Sequence, residues 1–193
     1  MSASAERYRA YEGPALFSMG FRPFFLFGAI WAACALPLWI AGFLGYAPQF
    51  TRDWHVHEML FGYLSAVIAG FLLTAIPNWT GRLPVTGAPL IALFALWAAG
   101  RVAMLGGESI ATALIDSAFL FALAGIVARE ILAGRNVRNI PVCGLILLLA
   151  VANVCAHAGA CAPDVARLGE RIGIGAISML VCLVGGRITP SFT

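Results

Sequence analysis

The chain has 193 residues, 61% of them hydrophobic and only 11% charged, with a mean hydropathy of +0.90. A soluble domain carries about 25% charged residues; this chain has too little charge to coat a water-exposed surface, which excludes an ordinary soluble enzyme domain. The net charge of +3 rests on arginine alone, since the sequence contains no lysine; the arginines gather at the ends of apolar runs, where they report membrane topology, and nothing in them points to nucleic acid.

A hydrocarbon core about 30 Å thick takes ~20 apolar residues at ~1.5 Å of rise each. Six runs meet that length, and they predict an all-α, polytopic transmembrane bundle over residues 24–193 behind a cytoplasmic N-terminal segment, residues 1–23. Residues 1–15 are polar and mixed in charge, and no small-residue cleavage pattern follows them, so they do not read as a secretory signal. The first run, Phe24–Leu44, carries Pro37, which predicts a kink. The second is His57–Ile76. The third, Pro89–Leu105, is short and holds Arg101. The fourth, Ile110–Leu132, holds Asp116. The fifth is Ile140–Ala160, and the sixth, Leu168–Ile188, opens on the polar turn Gly169-Glu170-Arg171. The connections are short and rich in Gly and Pro, which predicts antiparallel neighbours.

Arginine placement sets the expected orientation. With both termini cytoplasmic, the inner segments carry Arg7, Arg9, Arg22, Arg82, Arg129, Arg135, Arg138 and Arg187, against Arg52, Arg167 and Arg171 outside. Gly62, Ala66 and Gly70 on helix two, and Gly169 and Gly173 on helix six, form small-residue stripes of the kind that let helix backbones approach. Helix two closes on Pro77-Asn78-Trp79-Thr80 and helix six on Pro190-Ser191-Phe192-Thr193, a short echo of the internal repeats found in transporters.

An ionisable group inside a membrane helix costs roughly 2.5–3.5 kcal/mol on insertion scales, so it calls for a partner or a task. Arg101 lies just before the outer end of helix three and Asp116 just after the outer start of helix four. Equal depth on adjacent antiparallel helices predicts an Arg101–Asp116 ion pair, with structural glue as its first role. The three histidines, His55, His57 and His157, also fall toward the outer face. Imidazole is the commonest side-chain metal ligand, so they form a candidate metal set. His55 and His57 are two apart and share a site only if His55 precedes the helix and His57 opens it. Cys155 and Cys161 flank His157 without a standard zinc spacing, and Met59 and Met104, at similar depth, could offer thioethers to copper or simply fill gaps. A second polar group (Arg22, Thr74, Asn78, Thr80, Arg82, Arg187 and Thr189) collects on the cytoplasmic side and reads as helix caps and snorkelling arginines. Dinucleotide, P-loop, nucleophile-elbow and HExxH motifs are absent.

Three stretches together resemble the NnrS family of bacterial membrane proteins: LFSMGFRPFF over Leu16–Phe25, WHVHEMLFGY over Trp54–Tyr63 continuing as GFLLTAIPNWTGR over Gly70–Arg82, and GGRITPSFT over Gly185–Thr193. Residues 90–165 add little beyond hydropathy and Trp97–Arg101. The resemblance implies a multi-pass protein of the bacterial inner membrane that contains haem and copper and serves nitric oxide metabolism and resistance to nitrosative stress. It also implies a family architecture of about twice this length and about twelve spans, so the chain is expected to correspond to an N-terminal half. The lipid bilayer, a C-terminal half or a second copy are then its partners, and nucleic acid is not. The resemblance does not itself assign ligands; the residues of this sequence point to His55 and His57, with His157 third and Glu58 orienting an imidazole, while catalytic residues are unassigned and turnover is left open. The alternative is a secondary transporter or channel for a small solute or protons, which the Arg101–Asp116 pair, Pro37 and the echo would also suit.

Overall fold

The computed structural model describes residues 11–188, and its fold is an all-helical bundle. Arg7, Arg9, Thr189 and the Pro190–Thr193 member of the echo lie outside the described residues. The helices are α1 (Phe21–Phe43), α2 (Arg52–Thr80), α3 (Ala88–Leu105), α4 (Ile110–Ala133), α5 (Ile140–Ala156, led by a 3₁₀ turn at Val137–Asn139) and α6 (Pro163–Ile188). With that leading turn counted in α5, all six are long and apolar enough to cross a membrane.

Several boundaries differ from expectation: α1 begins at Phe21 and α6 at Pro163, so that Gly169-Glu170-Arg171 lie inside α6 and form no opening turn, and three others have a clear local reason. α2 begins at Arg52, ahead of the expected His57, because Thr51 is a working N-cap: its Oγ1 accepts the Trp54 N–H at 3.1 Å, and Asp53 places negative charge in the first turn. The same helix continues through Pro77 to Thr80 and stops at Gly81, whose φ of +68° suits glycine. α5 ends at Ala156 instead of Ala160, and the turn beyond it uses Gly159 at φ +48°. The backbone of α1 stays helical through Pro37.

Burial is distributed as a membrane protein requires. Large apolar side chains face outward, Phe43 at 80% exposure and Ile110 at 83%, whereas Glu58 and Asn153 are fully buried. Phe24, Leu72, Leu73, Leu90, Leu120, Leu123, Ile146 and Leu149 form the interior between helices. Between lipid-facing helices, close packing and internal polar bonds supply cohesion, since lipid is as apolar as leucine. Gly169 packs its backbone on α5, where an added Cβ would come within 2.6 Å of the Ala152 carbonyl oxygen. Gly28 of α1 meets Ala66 of α2 in the same manner. Gly62 departs from the stripe reading. A Cβ there would strike the Arg101 guanidinium and the Glu58 carboxylate, so this glycine makes room for charge instead of for a helix backbone.

The turns sort to two ends. At one, Gly87 N–H bonds Phe17 O at 3.0 Å and Asn136 Nδ2 donates to Trp79 O at 2.5 Å, tying together the start of α1 and the α2–α3 and α4–α5 turns. This is the arginine end. At the other, the histidine end, Trp54 Nε1 donates to Met104 O at 3.1 Å, joining the start of α2 to the end of α3.

Candidate metal centre

The site grows from an irregularity in α2. After Arg52–His57 the helix widens into a π-helical stretch, Glu58–Tyr63, in which Leu64 N–H reaches back to Met59 O. Ser65 Oγ bonds the Phe61 and Gly62 carbonyls there, and Trp97 Nε1 donates to Gly62 O at 2.9 Å. Such bulges recur at functional sites because they redirect side chains that a regular helix would bury elsewhere. Here the redirected pair is His57 and Glu58.

Glu58 accepts from Trp31 Nε1 of α1 at 2.7 Å and from Arg101 Nη1 of α3 at 2.5 Å. Arg101 also donates through Nη2 to Asp116 Oδ1 of α4. The second oxygen of Asp116 accepts from Asn153 Nδ2 of α5 at 2.8 Å and lies 2.9 Å from His157 Nε2 and 3.4 Å from His57 Nε2. His57 Nε2 sits 2.9 Å from Asn153 Oδ1, and its Nδ1 sits 3.3 Å from Glu58 Oε1. One polar chain therefore links α1 through α5 inside the bundle.

Two consequences follow from the chemistry. Asn153 must turn its amide nitrogen to the Asp116 carboxylate, so its oxygen faces His57, and both ring nitrogens of His57 then face acceptor oxygens. The chain also sets two carboxylates against one guanidinium. Both features favour one further positive charge beside His57 and Asp116. Just past the end of α5, the His157 imidazole is pushed down from an ordinary 6.5 to about 4, chiefly by burial, with His57 and Arg101 acting the same way and Glu108 and Glu58 opposing. That imidazole is neutral across the physiological range.

One potential donor atom each from His57, His157 and Asp116 lies within 4.8 Å of the other two. His57 and His157 border a cleft of about 620 Å³ at the histidine end, lined also by Trp54, Glu108, Arg167 and Arg171. His55 is not part of this group. Because Thr51 starts the helix early, His55 and His57 both lie inside it, about 200° apart around its axis, and the His55 ring stacks on Trp39 at 4.5 Å. Cys155 is half-buried and Cys161 exposed, and neither joins the group. Met104 is buried against Trp54, Phe50 and Ala35. Sequence reasoning missed Asn153 and the second role of Asp116. Asn153 had a signal, an amide inside a span and four residues before His157, hence on the same helix face. Trp31 gave none.

Fold and site together define a multi-pass membrane protein with a buried His–Asp–His cluster beneath a polar cleft at one end of its bundle. The family model described as NnrS protein matches residues 15–193, and the chain belongs to the NnrS family. No curated protein and no solved structure gives a match.

Proposed function

We propose that the chain holds a metal ion on His57, His157 and Asp116 and that this centre serves the nitric oxide response of its family in the bacterial inner membrane. The observation that carries the reading is the donor spacing. A first-row ion bound at about 2.0–2.1 Å to two imidazoles and a carboxylate in tetrahedral fashion needs donors about 3.3 Å apart. The two histidine–carboxylate separations are 2.9 and 3.4 Å. The two buried carboxylates set against the single Arg101 guanidinium support the same reading.

The donor set fits a bare ion and does not fit haem clasped between the two imidazoles. The rings are 4.7 Å apart between centroids, and the Asp116 carboxylate stands beside both Nε2 atoms, so no macrocycle passes between them. Of the two cofactors the family implies, copper is the one this cluster suits; imidazole is among its preferred ligands. Copper would supply one-electron chemistry and a coordination position for a small molecule. Around it, Glu58 orients His57 through Nδ1, Asn153 and Arg101 fix the Asp116 carboxylate, and the cleft gives access from the histidine end.

The test is the visible absorption of copper-loaded protein before and after nitric oxide is added. Wild type is expected to give a copper-dependent spectrum that changes with the gas, and His57→Ala to give neither. A wild-type spectrum indifferent to nitric oxide would remove the proposed role.

A further inference from the structure

The arginine end holds a second built feature. Glu130, in the last turns of α4, is 4% exposed, yet it accepts from two arginines on different elements. Arg82 Nε, in the α2–α3 turn, donates to Oε2 at 2.6 Å; Arg129 donates to Oε1 through Nε at 2.9 Å and Nη2 at 2.7 Å. Two like charges do not sit together unaided, and the buried carboxylate is what holds them. The frame around them is tight, since a Cβ on Gly134 would come within 2.6 Å of Thr80 Cβ and Asn136 ties down Trp79 O.

Two guanidiniums against one carboxylate leave a net positive charge. The Nη donors of Arg82 and Nη1 of Arg129 are not used by Glu130. Both arginines line a cleft of about 430 Å³, bordered by Gly81, Pro84 and Thr86 of the α2–α3 turn. Arg135 and Arg138, in the adjoining α4–α5 turn, add further positive charge to this end. A planar, fixed guanidinium fork matches the oxygens of a phosphate, and basic pockets between helix ends recognise anionic headgroups.

We propose that the Arg82–Glu130–Arg129 cleft binds a phosphate-bearing anion, with Glu130 as the residue that positions the two arginines. At a membrane-facing helix end the source is an anionic phospholipid headgroup or free phosphate. The site is independent of the metal cluster, which lies at the opposite end of the bundle.

Delipidated protein in detergent is examined by native mass spectrometry and thermal unfolding with phosphatidylglycerol, phosphatidylcholine or inorganic phosphate. The informative variant is Arg129→Gln, which keeps the Arg82–Glu130 pair; if it misfolds, the charge-free triple Arg82→Gln/Glu130→Gln/Arg129→Gln replaces it. Retention of phosphatidylglycerol over phosphatidylcholine, falling about tenfold in the variant as for one lost charge-assisted contact, supports the lipid source. Inorganic phosphate raising the unfolding midpoint of wild type alone supports the soluble source. No preference for either anion, or a preference that the variants leave intact, overturns the proposal.

Discussion

Replacing Arg101 by Met tests whether the polar chain is the mechanical centre of the bundle. Arg101 is 4% exposed and is the one guanidinium between two buried carboxylates, Glu58 at 0% and Asp116 at 2%. Removing one partner of a buried ion pair costs about 3–5 kcal/mol, because the other charge stays buried without compensation. Here two charges are left, so Arg101→Met is expected at or above the upper part of that range. The loss would be read from unfolding in mixed detergent–SDS micelles, followed by tryptophan fluorescence, since Trp31 bonds Glu58 and Trp97 bonds the Gly62 carbonyl of the π-helical stretch. Arg52→Met is the control: its pair with Asp53 is solvent-exposed at 3.5 Å and should leave the curve unchanged. The triple variant Arg101→Met/Glu58→Gln/Asp116→Asn should recover much of the loss, since it removes the stranded charges along with their partner. If Arg101→Met unfolds like the Arg52→Met control, the charge network does not hold the helices and the reasoning fails.

Other outcomes follow from the same geometry. Gly62→Ala should destabilise by about 1–3 kcal/mol through overpacking against Arg101 and Glu58, whereas Gly175→Ala, which meets open space, should be silent in the same SDS titration. Acidification should weaken the metal-free protein. His157 is neutral in the fold down to about pH 4, while the unfolded imidazole takes its proton near 6.5. The unfolded state therefore binds more protons in that window, and stability that is full above pH 6.5 declines as the pH falls toward 4, by about 3 kcal/mol in all. A pH series of unfolding curves checks this; His157→Gln should flatten the dependence, and a wild-type curve that gains stability on acidification would contradict it.

Much of the bundle was legible because hydropathy reports the solvent a helix was selected for. Six apolar runs became six helices, and counting residues from the α3–α4 turn put Arg101 and Asp116 at one depth, where they meet. What sequence could not carry was phase. Whether His55 and His57 share a face depended on where α2 starts, and that was decided by the Thr51 hydroxyl, a single capping bond. The π-helical stretch further reset the direction of His57 and Glu58, and no periodicity announces such a bulge. Asp116 was read as the partner of one arginine, but a carboxylate has two oxygens, and the second proved to face the histidines. Glu130 passed unnoticed because Arg129 beside it reads as an ordinary helix-end pair, while Arg82 of the α2–α3 turn reaches it only in three dimensions.

The most direct test of the account is copper stoichiometry and affinity in purified wild type beside His55→Ala, His57→Ala and His157→Ala. One ion per chain is predicted in wild type and in His55→Ala, with affinity reduced by an order of magnitude or more in the other two. Full retention of copper after both cluster histidines are removed, or its loss on changing His55 alone, would contradict a centre built on His57, Asp116 and His157.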